Sequence, residues 1–263
     1  MKLNQDSLRW QFDVYEWLFS NFGGYADFLK TELPLPTPEF FPEPDPELIF
    51  ERVKQYAGMA NWPCRLETYD ESTPVDEITS RMPGSGAPSG GSAGHITTEN
   101  EEIVIRYNET TGRDPLSLVA TFGHELAHYL MFCSKSEPPF GWEQHEFTTD
   151  LTGVFMGFGV FLANSSFQFT QWQDHQMQGW QTSRQGYLGE LDLSYGLALF
   201  CLLKDTDTKP VIRHLKPTPR SYFKTALKHL VKKHLAEIEG LKAVQPIAQQ
   251  ESGAVSASRS STD

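Results

Sequence analysis

Cysteine is scarce in this sequence. There are three cysteines among 263 residues, Cys64, Cys133 and Cys201. An odd and widely spaced set is not a disulfide framework, and none of the three belongs to a Cys-x-x-Cys pair of the kind that thiolate zinc sites use. Because Cys133 and Cys201 stand among apolar residues, we expect both to be buried free thiols. Free thiols are typical of a reducing compartment, so the sequence predicts a cytoplasmic protein.

Long hydrophobic runs are missing as well. The best candidate, residues 151–163, is shorter than the roughly 20 apolar residues that cross a bilayer, so it predicts a buried core helix. Residues 1–6 lack the basic start and the apolar stretch of a secretory signal. The sequence therefore predicts a protein without a transmembrane segment.

Positive charge is in short supply. Lys and Arg number 22 against 34 Asp and Glu, which gives a formal net charge of −12. Since phosphate backbones are bound by basic surfaces, nucleic acid is not an expected partner. Hydrophobic residues make up 39% of the chain and aromatic residues 13%. This content suffices for a packed core and excludes a wholly disordered chain.

Proline and glycine mark how the chain is organised. Six prolines between residues 33 and 46 predict an extended connector. Gly, Ser and Pro concentrate in residues 83–94, which predicts a mobile loop. We divide the chain into an N-terminal helical and Pro-rich region packed on the core (1–99), a core (100–242) and a disordered, Gln- and Ser-rich tail (243–263).

Apolar periodicity predicts a mainly helical α+β fold. One clear strand covers residues 103–107. Asp114-Pro115 is a typical helix start, and the helix that it opens extends to about residue 132. The small sheet is expected to pack on this helix. Further helices are predicted from residue 8 to the glycine pair at 23–24, and at residues 46–59, 143–163, 188–203 and 220–241.

The helix that follows Asp114 carries the sequence His124-Glu125-Leu126-Ala127-His128. Positions i and i+4 share one helix face, so His124 and His128 can present two imidazoles to one ion. Glu125 projects near the same edge, where it can take a proton from a water that zinc polarises. The stretch predicts a Zn²⁺ site with Glu125 as general base. The competing interpretation is a pair of hydrogen-bonded core histidines.

A catalytic zinc site usually has a third protein ligand. The candidates are Glu143, His145 and Glu146 in the next predicted helix. Glu146 is favoured because Asp150 follows it at i+4, where a carboxylate can accept a hydrogen bond from a ligating imidazole and fix its tautomer. In the alternative interpretation, Glu143 and Glu146 only favour the helix N-terminus through its dipole.

His124-Glu125-x-x-His128 followed by Glu146-x-x-x-Asp150 resembles the zinc metallopeptidases called gluzincins. The resemblance implies a metallopeptidase-like core in which His124, His128 and Glu146 are zinc ligands. It implies that Glu125 is the catalytic base, and that Asp150 is the hydrogen-bond partner of a ligating histidine.

The resemblance extends over residues 100–165. It implies that the strand at residues 103–107 is the edge strand above the active-site cleft, where a peptide can add as a further strand. Residues 149–164 also resemble uncharacterised bacterial proteins that carry the same zinc motif. The N-terminal third resembles no metallopeptidase domain. Tyr187 and His175 are candidates for stabilising the oxyanion, although a Tyr before an apolar helix is more often a packing residue.

The leading hypothesis is a zinc-dependent hydrolase, a metallopeptidase that cleaves a peptide or protein substrate. A second hypothesis is a non-catalytic, zinc-containing binding or regulatory module with a metallopeptidase fold, and a third is a zinc enzyme that acts on a non-peptide bond. Glu125 beside the ligands, and the lack of thiolate ligands, favour catalysis over a structural zinc site.

Overall fold

The computed structural model describes residues 3–41, 43–69, 94–99, 102–109, 113–142, 145–165 and 188–247. Its helices are α1 (Gln5–Asn21), α2 (Gly24–Phe28), α3 (Pro46–Tyr56), α4 (Pro115–Phe132), α5 (His145–Gly153), α6 (Glu190–Leu203), α7 (Thr208–His214), α8 (Pro217–Lys233) and α9 (Leu235–Lys242). A π-helical turn, Val154–Phe158, prolongs α5, and the helix then continues to residue 165. The strands are β1 (Cys64–Tyr69), β2 (Gly94–Glu99) and β3 (Glu102–Asn108).

These elements confirm the predicted fold class, a mainly helical chain with a small sheet on α4.

None of the helices in the described ranges is long and apolar enough to span a membrane. The predicted loop at residues 83–94 lies outside the described residues except for Gly94, and so does the tail beyond residue 247. The cytoplasmic location stays a prediction.

The start of α4 shows why this helix forms where the sequence predicts. Asp114 is extended, and its carboxylate accepts hydrogen bonds from the Leu116 amide at 3.1 Å and the Ser117 hydroxyl at 2.6 Å. The first of these bonds satisfies a backbone amide that a helix N-terminus otherwise leaves unpaired, and Pro115 has no amide hydrogen that would need an acceptor there. Asp45 caps α3 in the same way, again with a proline at the first helical position. Both predicted helix starts are confirmed.

The sheet has the order β1-β3-β2, with β3 parallel to β1 and antiparallel to β2. Tyr107 of β3 packs its ring on Phe122 of α4 at 5.5 Å between centroids. The strand predicted at residues 103–107 is confirmed, but its predicted position at the sheet edge is wrong, because β3 lies in the centre. The prediction failed because β1 and β2 are short strands rich in polar residues and were not detected.

One buried apolar cluster runs from Leu3 to Leu241. Residues of the 1–99 region and of the 100–242 region share it, and the division of the chain at residue 100 stays a prediction. Residues 151–163 are buried throughout, which confirms the predicted core helix.

The two cysteines that were both expected to be buried differ in their exposure. Cys201 on α6 is buried, whereas Cys133 is exposed. The expectation for Cys133 is wrong because this residue forms the C-cap of α4, where the helix leaves the core.

The proline-rich connector is not extended throughout, contrary to the prediction, because it makes a turn at residues 38–40. Phe40 fixes it to the core. Its ring is buried and lies 5.2 Å from Phe161 and 5.4 Å from Tyr56 between centroids. The same connector passes close to Gly157, whose φ of 101° belongs to the left-handed region. The carbonyl oxygen of Glu32 lies where a Cβ of residue 157 would stand. Glycine is therefore required at this point of the π-helical turn.

The C-terminal region differs from the single helix predicted at residues 220–241. Two helices, α8 and α9, meet at His234, whose φ of −132° and ψ of 21° are not helical. The preceding α7 was not predicted. On α8, the side chains of Phe223, Ala226 and Leu230 are buried, and α8 packs on α6. The basic residues of α8 therefore belong to the outer face of a packed helix.

We expect Gly157→Ala to lower the free energy of unfolding by about 3 kcal/mol, since the substitution adds both an unfavourable φ and a clash with backbone. Gly58→Ala is the matched control. Gly58 has a φ of 71° but nothing within 4 Å of its added Cβ, so only the conformational cost of about 1 kcal/mol applies. Urea denaturation measures both variants. Equal losses of unfolding free energy in the two variants would show that a clash with the connector does not contribute at residue 157.

Candidate metal centre

Glycine allows α4 and α5 to approach each other closely beside the site. A Cβ added at Gly153 of α5 would stand 3.6 Å from the carbonyl oxygen of Gly123 on α4. A Cβ added at Gly123 would lie only 3.0 Å from the Phe158 ring. The backbone of α5 therefore lies close to that of α4, and side chains of both helices can meet next to the contact.

The two histidines and Glu146 meet at one point. His124 Nε2 lies 3.1 Å from His128 Nε2 and 3.2 Å from Glu146 Oε2, and His128 Nε2 lies 3.5 Å from Glu146 Oε2. Zinc–ligand bonds of 2.0–2.1 Å in a tetrahedral arrangement hold the ligand atoms about 3.3 Å apart. The three atoms thus have the mutual spacing of metal ligands, and the group can hold a metal ion.

Hydrogen bonds turn the two imidazoles so that their Nε2 atoms face this point. His124 Nδ1 lies 2.9 Å from Asp150 Oδ1. His128 Nδ1 lies 3.1 Å from the Thr149 hydroxyl, which itself donates to the His145 carbonyl at 2.9 Å. Because carboxylate and hydroxyl oxygens accept here, each Nδ1 carries the proton and each neutral ring turns its Nε2 lone pair inward.

The surroundings of Glu146 Oε2 indicate that a cation would be stabilised between this atom and the two Nε2 atoms. Oε2 of Glu146 is buried and accepts no well-formed hydrogen bond among the described residues. Two nitrogen lone pairs and a carboxylate oxygen thus converge within a few ångströms, an arrangement that is costly unless a cation lies between them. The donor set of two imidazoles and one carboxylate is one that zinc accepts.

Without a metal ion, a proton on an imidazole nitrogen can supply the positive charge between the three atoms. The pKa of His124 is raised well above its ordinary value, since the hydrogen bonds and charges of Asp150 and Glu146 outweigh the lowering by burial. Burial lowers the pKa of His128. Burial acts to raise the pKa of Glu146, but the surrounding histidines hold it well below the usual range. Metal ions and protons therefore compete for the same nitrogen atoms.

Glu125 lies beside the group and is buried, with 3% of its surface exposed. Burial raises the pKa of its carboxyl group to about 8; His124 acts against this rise and Glu146 adds to it. Its charge thus interacts with two of the three possible ligands. A buried carboxyl group that titrates near neutrality can both take up and release a proton.

His145, the alternative third ligand, lies outside the three-residue group. Its Nε2 is 3.2 Å from Oε1 of Glu146, whereas the Nε2 atoms of His124 and His128 pair with Oε2. Its Nδ1 donates to the Trp142 carbonyl at 2.7 Å. Other candidates lie outside the described residues, namely Glu143, His175 and Tyr187.

The sequence did not reveal Thr149 as the partner of His128. The available signal was its position: Thr149 follows Glu146 at i+3 and precedes Asp150, so its side chain belongs to the same face of α5. Asp150 has a second contact that the sequence did not indicate. Its Oδ2 accepts a hydrogen bond from the Leu188 amide at 2.6 Å. This bond ties the chain just before α6 to the site.

Comparison of the chain with protein-family models, curated proteins and solved structures gives no significant match. The resemblance to gluzincins therefore rests on the sequence motif alone.

We expect Thr149→Val to weaken zinc binding about tenfold, because His128 loses the hydroxyl that orients its ring. Thr148→Val is the matched control: Thr148 is the adjacent buried threonine, and its hydroxyl has no hydrogen-bond partner among the described residues. Competition with a chromophoric chelator measures both affinities. Similar losses in the two variants would argue against a specific role for Thr149.

Proposed function

We propose that this protein is a zinc-dependent hydrolase, a metallopeptidase-like enzyme that cleaves peptide bonds. The observation that supports the proposal is the convergence of His124, His128 and Glu146 beside the buried carboxyl group of Glu125. Structural zinc sites usually have four protein ligands, often cysteines, whereas catalytic sites have three and leave one position for water. The group of possible ligands among the described residues has three members and no cysteine.

In this proposal the three ligands hold zinc, which when bound supplies Lewis acidity that lowers the pKa of water and polarises a carbonyl group. Glu125 takes one proton from the attacking water as the new C–O bond forms. It then passes that proton to the leaving nitrogen as the C–N bond breaks. Asp150 and Thr149 keep the imidazoles in the tautomer that binds metal.

The sheet offers a place for an extended substrate. β2 is an edge strand that contacts α4, and among the described residues no strand pairs with its outer edge. A peptide can add to such an edge through backbone hydrogen bonds. We therefore transfer the substrate-binding role from β3, where the sequence had suggested it, to β2. The side chain of Glu146 is 37% exposed, which favours access to the group from its side.

The purified protein is expected to contain about one zinc ion per chain, measured by mass spectrometry after reconstitution and dialysis. His124→Ala and Glu146→Ala should each lose the metal because the remaining pair of ligands binds it weakly. His234→Ala is the control, since this histidine lies at the junction of α8 and α9. Absence of zinc from the unchanged chain would overturn the proposed site.

Glu125→Gln should keep the zinc but lower the rate of peptide hydrolysis at least about 100-fold, because the amide cannot accept the proton of the attacking water. Glu51→Gln, on the exposed surface of α3, is the control and should retain the full rate. Hydrolysis of a peptide library, followed by mass spectrometry, supplies the assay. Full activity in Glu125→Gln would refute the role as base. If the zinc-loaded wild-type protein hydrolysed nothing, the non-catalytic zinc-binding module would replace the hydrolase.

A further inference from the structure

Positive charge is distributed unevenly along this acidic chain. Residues 208–236 contain eight of the 22 Lys and Arg residues and none of the 34 Asp and Glu residues. They cover α7, α8 and the start of α9. In a chain with a formal net charge of −12, this stretch concentrates positive charge in one part of the molecule.

Two of these basic side chains hold the start of α8 against the rest of the protein. Lys216 Nζ donates a hydrogen bond to the Asn164 carbonyl at 2.7 Å. The guanidinium of Arg220 donates to the Leu215 carbonyl at 3.0 and 2.7 Å. These two cations therefore stabilise the fold, and a role for the basic stretch in binding has to come from the residues that follow.

Three lysines further along α8 form an exposed stripe. Lys224, Lys228 and Lys232 recur every four residues, so they share the face of the helix that lies opposite the buried Phe223 and Leu230. All three are exposed, and none has an ion pair or a hydrogen bond with another residue in the described ranges. The stripe is therefore available to an anionic partner outside the chain.

Two apolar side chains are exposed at the C-terminal end of the stripe. Val231 is 47% exposed and Leu235, the first residue of α9, is 51% exposed. They are two of the five large apolar residues that are most exposed in the described part of the chain. Lysines on one helix face together with exposed apolar residues are typical of a helix that lies in the interface of a lipid bilayer.

We propose that the outer face of α8 binds the surface of a membrane that contains anionic lipids. The ammonium groups of the three lysines contact the lipid headgroups, while their aliphatic stems, Val231 and Leu235 contact the boundary of the acyl chains. A membrane surface is a uniform field of negative charge, which suits a lysine stripe without acidic residues. Protein interfaces are commonly specified by charges of both signs.

The negative net charge of the whole protein does not oppose this contact strongly. At physiological ionic strength, charges farther from the membrane than about 8 Å are largely screened. The charges of the contacting face therefore determine the binding energy, and the stripe supplies only positive ones.

Sedimentation with lipid vesicles tests the proposal. The unchanged chain should bind vesicles of phosphatidylcholine and phosphatidylserine but not vesicles of phosphatidylcholine alone. Salt at about 1 M should release it, since charges then interact only within about 3 Å. Replacing Lys224, Lys228 and Lys232 together by Gln should weaken binding about 100-fold, since each lysine near an anionic surface contributes about a factor of five.

Matched controls separate the stripe from net charge and general exposure. Arg9, Lys30 and Lys135 are exposed elsewhere, and their joint replacement by Gln changes the net charge equally but should leave binding unchanged. The pair Val231→Ser and Leu235→Ser should weaken binding about tenfold.

Leu29→Ser with Leu48→Ser is the control for that pair, because these leucines are similarly exposed, at 47% and 52%. It should not change binding. Thermal unfolding checks that each variant keeps the fold.

Three outcomes would overturn the proposal. The first is an unchanged chain that ignores phosphatidylserine vesicles, and the second is equal binding by the two triple variants. The third is binding to polyglutamate or duplex DNA as tight as to vesicles, with no effect of the apolar pair, which would assign the stripe to an acidic macromolecule. None of these measurements depends on zinc or on hydrolysis, so the proposed function is tested separately.

Discussion

The close approach of α5 to α4 at Gly123 and Gly153 is the contact on which the candidate site depends. A Cβ at Gly153 would only just fit against the Gly123 carbonyl, so the two backbones lie close together at this crossing. This proximity goes with the short distances from Glu146 Oε2 to the two Nε2 atoms, 3.2 and 3.5 Å. The site also requires both helices to begin at fixed positions along the chain. Asp114 sets that position for α4, so local capping and helix packing together bring three residues from two segments to one point.

The sequence predicted the parts of the site that follow from helix periodicity. The i, i+4 spacing of His124 and His128, and that of Glu146 and Asp150, predicted which side chains share a face, and the structure brings all four together. Thr149 was missed because threonine is common in helices and no distinctive sequence pattern marks a hydroxyl that contacts a histidine. The roles of zinc ligand and catalytic base remain proposals.

The sheet was predicted less completely, for a physical reason. A strand becomes recognisable in sequence when one of its faces is apolar, as in β3 with Ile105 and Tyr107, which share a face and are both buried. β1 is only partly buried and alternates weakly, so its signal is faint. The order of strands depends on pairing between distant segments, which no local pattern encodes. The edge position assigned to β3 failed for this reason, although the strand itself was correct.

Asp150 divides its two oxygens between different parts of the molecule, one on the His124 ring and the other on the Leu188 amide. Its charge is therefore shared between a candidate metal ligand and the backbone that leads into α6. Thermodynamic linkage makes such sharing reciprocal. Whatever strengthens the bond to Leu188 draws electron density from the imidazole, and whatever charges the imidazole changes the hold on Leu188. A proton or metal ion bound at His124 and the hydrogen bond that anchors the chain before α6 therefore affect each other through Asp150.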